Sequence, residues 1–173
     1  MIRQKTCALF IAGVLALAAA QDVAALPAWD DATLRLFATL PVQDQGRIKP
    51  LDTFAQFTLL KLNAKRTYTP PEGKRISALE WLLDTLFYPE AARDFRCFIV
   101  DSNEVIEALG VPVHDKKRDR YTYNELLAGR ETLMDLASTY SEIPAQERSR
   151  IQQQILYLAD NVLTFEQIAG FFD

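Results

Sequence analysis

Apolar residues recur at intervals of three and four along the C-terminal part of the chain. One set comprises Leu126, Leu133, Ala137 and Tyr140, and the other comprises Ile151, Ile155, Leu158, Val162, Phe165 and Ile168. This spacing puts the apolar side chains on one face of a helix, and such a face is usually buried in a core. We therefore predict an antiparallel helical hairpin, with one helix from Asn124 to about Tyr140 and a second from Pro144 towards Phe172.

The upstream chain also favours helices, with at most a minor short-stranded β element. The predicted elements are a helix over Trp29 to Leu40 capped by Asp30 or Asp31, a helix from Pro50 or Thr53 to Lys65, a helix that Ser77 opens and that ends before Pro89, a strand over Phe95 to Val100, a short helix from Asp101 or Ser102 through Leu109, and a segment over Arg120 to Tyr123 that pairs with the strand. Ser77 and Glu80 have the spacing of a capping box. The predicted fold class is a mainly α, small helical domain.

Length and charge narrow the class of protein. The chain has 173 residues, of which 49% are apolar and 24% charged, and its formal net charge is −4. These values are typical of one globular domain with a sizeable core. A negative net charge argues against a nucleic-acid partner, because nucleic-acid-binding proteins usually present a basic surface.

The first 25 residues have the pattern of a secretory signal peptide. Arg3 and Lys5 precede an apolar run over Thr6 to Ala20, and small residues follow. We predict cleavage after Ala20 or Ala25, which leaves residues 26–173 as a single extracytoplasmic domain, in the periplasm or its equivalent. The alternative is an uncleaved anchor that extends to Leu26, although the apolar run is shorter than the roughly 20 residues that span a bilayer.

Residues able to perform chemistry are few. Cys97 is the single cysteine after the predicted signal, and its apolar neighbours favour a buried small residue on a strand. His114 is the single histidine and lies in a charged sequence, which favours a solvated loop position. Asp84 and Glu80 are four residues apart on one helix and are expected to be solvated. We therefore predict no catalytic residue, no metal site and no cofactor.

The segment LPVQDQGRIKPLDTFAQF, residues 40–57, combines a turn signal, two cations and a proline between apolar runs. Gly46 permits a turn that other residues resist. Arg47 and Lys49 alternate along an extended piece, so we expect both to point outward and Ile48 inward. Asp52 and Thr53 are expected to accept hydrogen bonds from the first turn of a helix. The segment is thus either a well-capped helix entry or a docking surface.

The residues from Leu40 to Ala55, LPVQDQGRIKPLDTFA, resemble a segment near the start of c-type cytochrome biogenesis proteins of the CcsA (ResC) type. The likeness is to versions with an extra extracytoplasmic region before their membrane helices. It continues more loosely through the sequences IVD at 99–101, EV at 104–105, ALG at 108–110 and RYTYNEL at 120–126. The resemblance spans about Leu40 to Phe172, with one specific motif and several weak ones.

The resemblance implies a role in moving haem across the membrane and attaching it to apocytochrome c. In that family, haem is handled by a tryptophan-rich segment and by histidines near transmembrane helices. This sequence has only two isolated tryptophans, Trp29 and Trp81, and no multi-pass region, so no haem-binding residue carries over. What the resemblance implies is a non-catalytic accessory or scaffold domain. It is either part of a longer chain or a free-standing subunit beside a membrane partner.

The predicted partner is a membrane-embedded cytochrome c biogenesis subunit, with apocytochrome c as a second candidate. Membrane association would then be through that partner. The candidate docking residues are Gln43, Arg47, Lys49 and Asp52. The alternative function is an independent periplasmic ligand-binding protein or enzyme, for which we expect an apolar pocket with convergent carboxylates near Asp84 or Asp101.

Overall fold

Eight α-helices and three two-stranded antiparallel sheets form the computed structural model, which describes residues 26–71 and 73–172. The helices are α1 (Asp31–Ala38), α2 (Leu51–Asn63), α3 (Ala78–Phe87), α4 (Pro89–Ala92), α5 (Asn103–Ala108), α6 (Tyr123–Leu127), α7 (Arg130–Ser141) and α8 (Arg150–Ala169). The mainly α fold class is confirmed. The predicted signal peptide lies outside the described residues, and within them no helix has the length and apolarity to cross a membrane.

Each sheet joins two short strands. The strands are β1 (Pro41–Asp44), β2 (Arg47–Pro50), β3 (Thr67–Tyr68), β4 (Ile76–Ser77), β5 (Phe98–Val100) and β6 (Asp119–Tyr121), paired β1–β2, β3–β4 and β5–β6. In the third sheet Phe98 lies opposite Tyr121 and Val100 lies opposite Asp119. The predicted pairing of these two segments is confirmed, although both strands are shorter than expected.

The core forms where α2, α3 and α8 meet the β5–β6 sheet. Its largest fully buried side chains include Trp81, Phe98, Tyr121 and Phe165. Phe98 and Phe165 meet edge to face, with ring centroids 5.4 Å apart, a favourable arrangement for aromatic pairs. Cys97 is fully buried, as predicted, but it directly precedes β5 instead of lying on a strand. Burial raises the pKa of its thiol to about 12.

The predicted C-terminal hairpin is present, but its first helix is shorter than expected. A single helix from Asn124 to Tyr140 was wrong, because the chain bends at Gly129 between α6 and α7. A Cβ atom built on Gly129 would lie 2.7 Å from Val111 Cγ2 and 2.8 Å from the Leu109 carbonyl oxygen. The backbone at Gly129 therefore packs directly against the segment that follows α5.

The start of the last helix also differs from the prediction. Pro144 precedes a 3-10 turn, Ala145–Glu147, and α8 begins only at Arg150. Ser149 fixes that start, since its Oγ accepts from the Gln152 amide while the Gln152 side chain accepts from the Ser149 amide. This reciprocal capping box resembles the predicted one at Ser77, which is confirmed.

A substitution at Gly129 tests the close contact at the bend. Gly129→Ala should lower the free energy of unfolding by about 1 to 3 kcal/mol, because the new methyl group overlaps the Leu109 carbonyl and Val111. Urea unfolding followed by circular dichroism measures this loss. The exposed neighbouring change Ala128→Ser is the control and should cost less than about 0.5 kcal/mol. Equal stability of the two variants would contradict the tight packing.

Candidate functional site

The segment from Leu40 to Ala55 folds as a β-hairpin that leads directly into α2. Asp44 lies opposite Arg47 across the hairpin, so Gln45 and Gly46 make a two-residue turn. Both have positive φ, 49° at Gln45 and 75° at Gly46. Positive φ at both positions is the geometry of a type I′ turn, which matches the natural twist of paired strands. The predicted turn is therefore a hairpin turn, and both strands are very short.

Side-chain directions on β2 differ from the prediction. Ile48 was expected to point inward, but 78% of its surface is exposed. Lys49 points instead towards the body of the domain, where its Nζ lies 2.6 Å from Asp44 Oδ2 and 5.9 Å from the Phe57 ring centroid. Because successive side chains of a strand point to opposite faces and Lys49 faces inward, Ile48 faces away from the domain.

The predicted cap of α2 is also wrong. Pro50 occupies the N-cap position, and no side chain makes a capping hydrogen bond there. Asp52 instead accepts a hydrogen bond of 2.7 Å from Gln56 Nε2 one turn later. Its carboxylate still lies in the first turn, where it complements the positive end of the helix.

The four candidate docking residues therefore separate into two groups. Gln43 lies opposite Ile48 on the outer face of the hairpin, and Arg47 is exposed beside the turn. Lys49 and Asp52 are partly buried and have internal partners. We use the name hairpin face for Gln43 and Ile48, which share the outer face, together with Arg47, which is exposed at the turn although strand alternation puts it on the side of Lys49. Ile48 was not among the predicted docking residues, although its position between two cations on a short strand made it a candidate.

A second surface was not predicted from sequence. It is a cleft of about 470 Å³ into which five cationic residues converge: Lys65, Arg66, Arg75, Arg96 and Arg120. We call it the basic cleft. The adjacent pairs Lys65–Arg66 and Lys74–Arg75, which flank one loop, were the available local signal. Arg96 and Arg120 arrive from β5–β6, and their convergence depends on tertiary structure.

His114 lies next to the basic cleft. It was predicted to be a solvated loop residue, but its side chain is largely buried. Its ring stacks on Tyr121 with centroids 4.1 Å apart. Its Nδ1 lies 3.0 Å from Asp119 Oδ2, and its Nε2 lies 3.3 Å from Glu125 Oε1. Within residues 26–71 and 73–172, no group of three or more histidine, cysteine or carboxylate side chains has the arrangement of a metal site.

The carboxylates named for the alternative function have other partners. Asp84 is 7% exposed and accepts a hydrogen bond of 2.7 Å from the Trp29 indole. Asp101 pairs with Arg118 at 2.6 Å on the surface. Neither residue lines the basic cleft, so this cleft lacks the carboxylate lining that was expected for the alternative function. No protein-family model matches this chain, and no curated protein matches it.

Asp84 gives the domain a specific pH response. Burial raises the pKa of its carboxyl to about 6, although the Trp29 hydrogen bond opposes the shift. The folded state then binds more protons than the unfolded state between about pH 4 and 6, so this residue should make stability fall as pH rises through that window.

Asp84→Asn should remove this pH-dependent contribution while its amide oxygen still accepts from Trp29. As pH rises from 4 to 7, we expect the unfolding free energy of the variant to increase relative to that of the wild type by about 1 to 2 kcal/mol. Urea unfolding at several pH values measures the difference, with the exposed change Asp31→Asn as control. A constant difference between variant and wild type across this range would contradict the raised pKa.

Proposed function

We propose that this chain is a non-catalytic, extracytoplasmic accessory domain of c-type cytochrome biogenesis. In this proposal it works beside a membrane-embedded subunit that moves and attaches haem. The observation that carries the proposal is the segment from Leu40 to Ala55, which resembles the family and forms one continuous unit, the β1–β2 hairpin and the start of α2.

The weaker parts of the resemblance have a structural explanation. Ile99 and Val100 lie in β5, and Tyr121 lies in β6 and is almost fully buried. Thr122 and Glu125 form a capping box that starts α6. These residues serve the packing of the domain, so the likeness at these positions needs no partner to explain it.

The hairpin face has no such explanation within the domain. Ile48 is largely exposed, and Arg47 has no ion-pair partner among the residues that the structure describes. An exposed branched apolar side chain beside an arginine and an amide suits a protein–protein contact, in which an apolar centre is surrounded by polar groups. The hairpin face is therefore the proposed docking surface for the membrane-embedded subunit.

A haem stain of c-type cytochromes tests the proposed pathway. Cells that lack this gene should lose covalently attached haem, and restoring the gene should recover it. The amount of apocytochrome c polypeptide, measured by immunoblot, is the control for expression. Normal haem attachment in the deleted strain would overturn the proposal.

A paired substitution tests the docking surface. Arg47→Ala with Ile48→Ser should change the unfolding free energy by less than about 0.5 kcal/mol, since both side chains are exposed. The same variant should reduce at least tenfold the amount of a multi-pass protein with a tryptophan-rich segment that co-purifies with this chain, as quantified by mass spectrometry.

The matched control is Arg35→Ala with Leu36→Ser on α1, where an arginine again precedes an exposed branched apolar residue. This control should retain the partner. Equal loss of the partner in both variants would contradict a specific role for the hairpin face. A large loss of thermal stability in the Arg47 and Ile48 variant would indicate a purely structural hairpin.

The second candidate function is an independent extracytoplasmic ligand-binding protein. The observation that favours it is the basic cleft, whose volume lies within the range of small-molecule sites, roughly 300–1,000 Å³. The haem stain separates the two candidates, because a binding protein outside the pathway would leave haem attachment unchanged.

A further inference from the structure

The cations of the basic cleft come from four separate parts of the chain. Lys65 and Arg66 follow α2, Arg75 precedes β4, Arg96 precedes β5, and Arg120 lies in β6. Like charges repel one another, and the chain as a whole has a formal charge of −4. The fold thus concentrates positive charge at one place in a protein that is negative overall.

Among the residues that the structure describes, no carboxylate side chain lines the cleft. Among the described residues, the one ion pair of these five cations joins Arg96 Nη2 to Glu125 Oε1 at 2.9 Å. A cleft with low-dielectric walls and charges of one sign strengthens the local potential and attracts counter-ions. The electrostatics therefore favour an anionic ligand.

The guanidinium of Arg120 is preorganised to bind such a ligand. Its Nε donates to the side-chain oxygen of Asn63, and its Nη2 donates to the Asn63 backbone oxygen at 3.1 Å. Asn63 is 3% exposed, and its own amide group donates to the Thr67 carbonyl. Because these bonds fix the guanidinium and leave its Nη1 group free of hydrogen bonds to described residues, little conformational entropy remains to be lost on binding.

Tyr68 supplies a donor of a different kind. It lines the cleft although its side chain is 3% exposed, and its hydroxyl oxygen accepts a hydrogen bond of 3.1 Å from the Arg96 backbone amide. The hydroxyl proton is then the group left to interact with a ligand. Burial raises the pKa of Tyr68 to about 12, and its protonated hydroxyl can donate to a ligand.

Size and polarity define the ligand class further. A volume of about 470 Å³ exceeds the space that one small oxyanion needs. The known lining residues are cations, Asn63, Tyr68 and two threonines, and no histidine, methionine or tryptophan is among them. Such a lining suits a hydrophilic molecule with several charged groups and is unfavourable for a flat apolar macrocycle.

We propose that the basic cleft binds a small hydrophilic polyanion that presents two or more phosphate or carboxylate groups. Arg120 and Tyr68 form its fixed inner end, and Arg66 and Arg75 are the exposed cations that complete it. This inference stands apart from the proposed role in cytochrome biogenesis, because it depends on the cleft and not on the hairpin face.

Calorimetric titration of the purified full chain tests the inference, with inorganic pyrophosphate and the tricarboxylate citrate as two separate probes at low ionic strength. We expect one or both to bind with a stoichiometry of one. Binding of pyrophosphate alone identifies a phosphate ligand, and binding of citrate alone identifies a carboxylate ligand. Absence of binding by both probes would overturn the proposal.

Three variants locate the site. Arg66→Gln with Arg75→Gln should weaken binding at least tenfold, and Tyr68→Phe should weaken it several-fold while leaving the net charge unchanged. The control Lys116→Gln with Lys117→Gln removes the same charge from an exposed loop and should change affinity less than twofold. Equal weakening by the control would show non-specific attraction and overturn the proposal. Circular dichroism melts of each variant confirm that folding is retained.

Discussion

The buried stripe of α8 is the interaction on which the other elements depend. Ile155, Leu158, Val162 and Phe165 are each at most 2% exposed. They give one continuous apolar surface against which α7, α3, α5 and β5 pack. Burying a side chain of this size contributes roughly 1.5 to 3 kcal/mol, so the stripe outweighs any single surface contact in the domain. Glu166, also on α8, binds Arg130 through two hydrogen bonds and accepts another from Tyr123, which ties α6 and α7 to the same helix.

The elements predictable from sequence were those set by local spacing. The α8 stripe and the capping box at Ser77 follow from periodicity and from short-range hydrogen bonding. The pairing of β5 with β6 joins segments on either side of α5, and it was predicted from the strand-like composition of each segment. The bend at Gly129 was not predictable, because its cause is a contact with Leu109 and Val111, which are distant in sequence. Tertiary packing overrides a helical pattern in such cases, and an isolated glycine within the pattern weakens a helix without specifying a bend.

The candidate sites illustrate the same limit. The hairpin segment was recognisable as a unit, yet alternation along β2 fixed only that Ile48 and Lys49 face opposite ways. Which of the two faces the domain depends on the packing of Lys49 near Asp44 and Phe57. The basic cleft was less accessible still, since its charges come from segments more than 50 residues apart and only the fold brings Asn63 and Arg120 together.

Phe57 links the two surfaces physically. Its ring is 55% exposed and lies 5.9 Å from Lys49 Nζ and 5.5 Å from the guanidinium carbon of Arg66. Lys49 belongs to the strand that carries the hairpin face, and Arg66 lines the basic cleft. A cation near an aromatic ring is stabilised by about 0.5 to 1 kcal/mol at an exposed site. The two contacts are too weak to couple the surfaces strongly, because strong coupling requires differential contacts in two discrete states. We therefore expect the two proposed surfaces, the hairpin face and the basic cleft, to be independent, so that loss of one leaves the other intact.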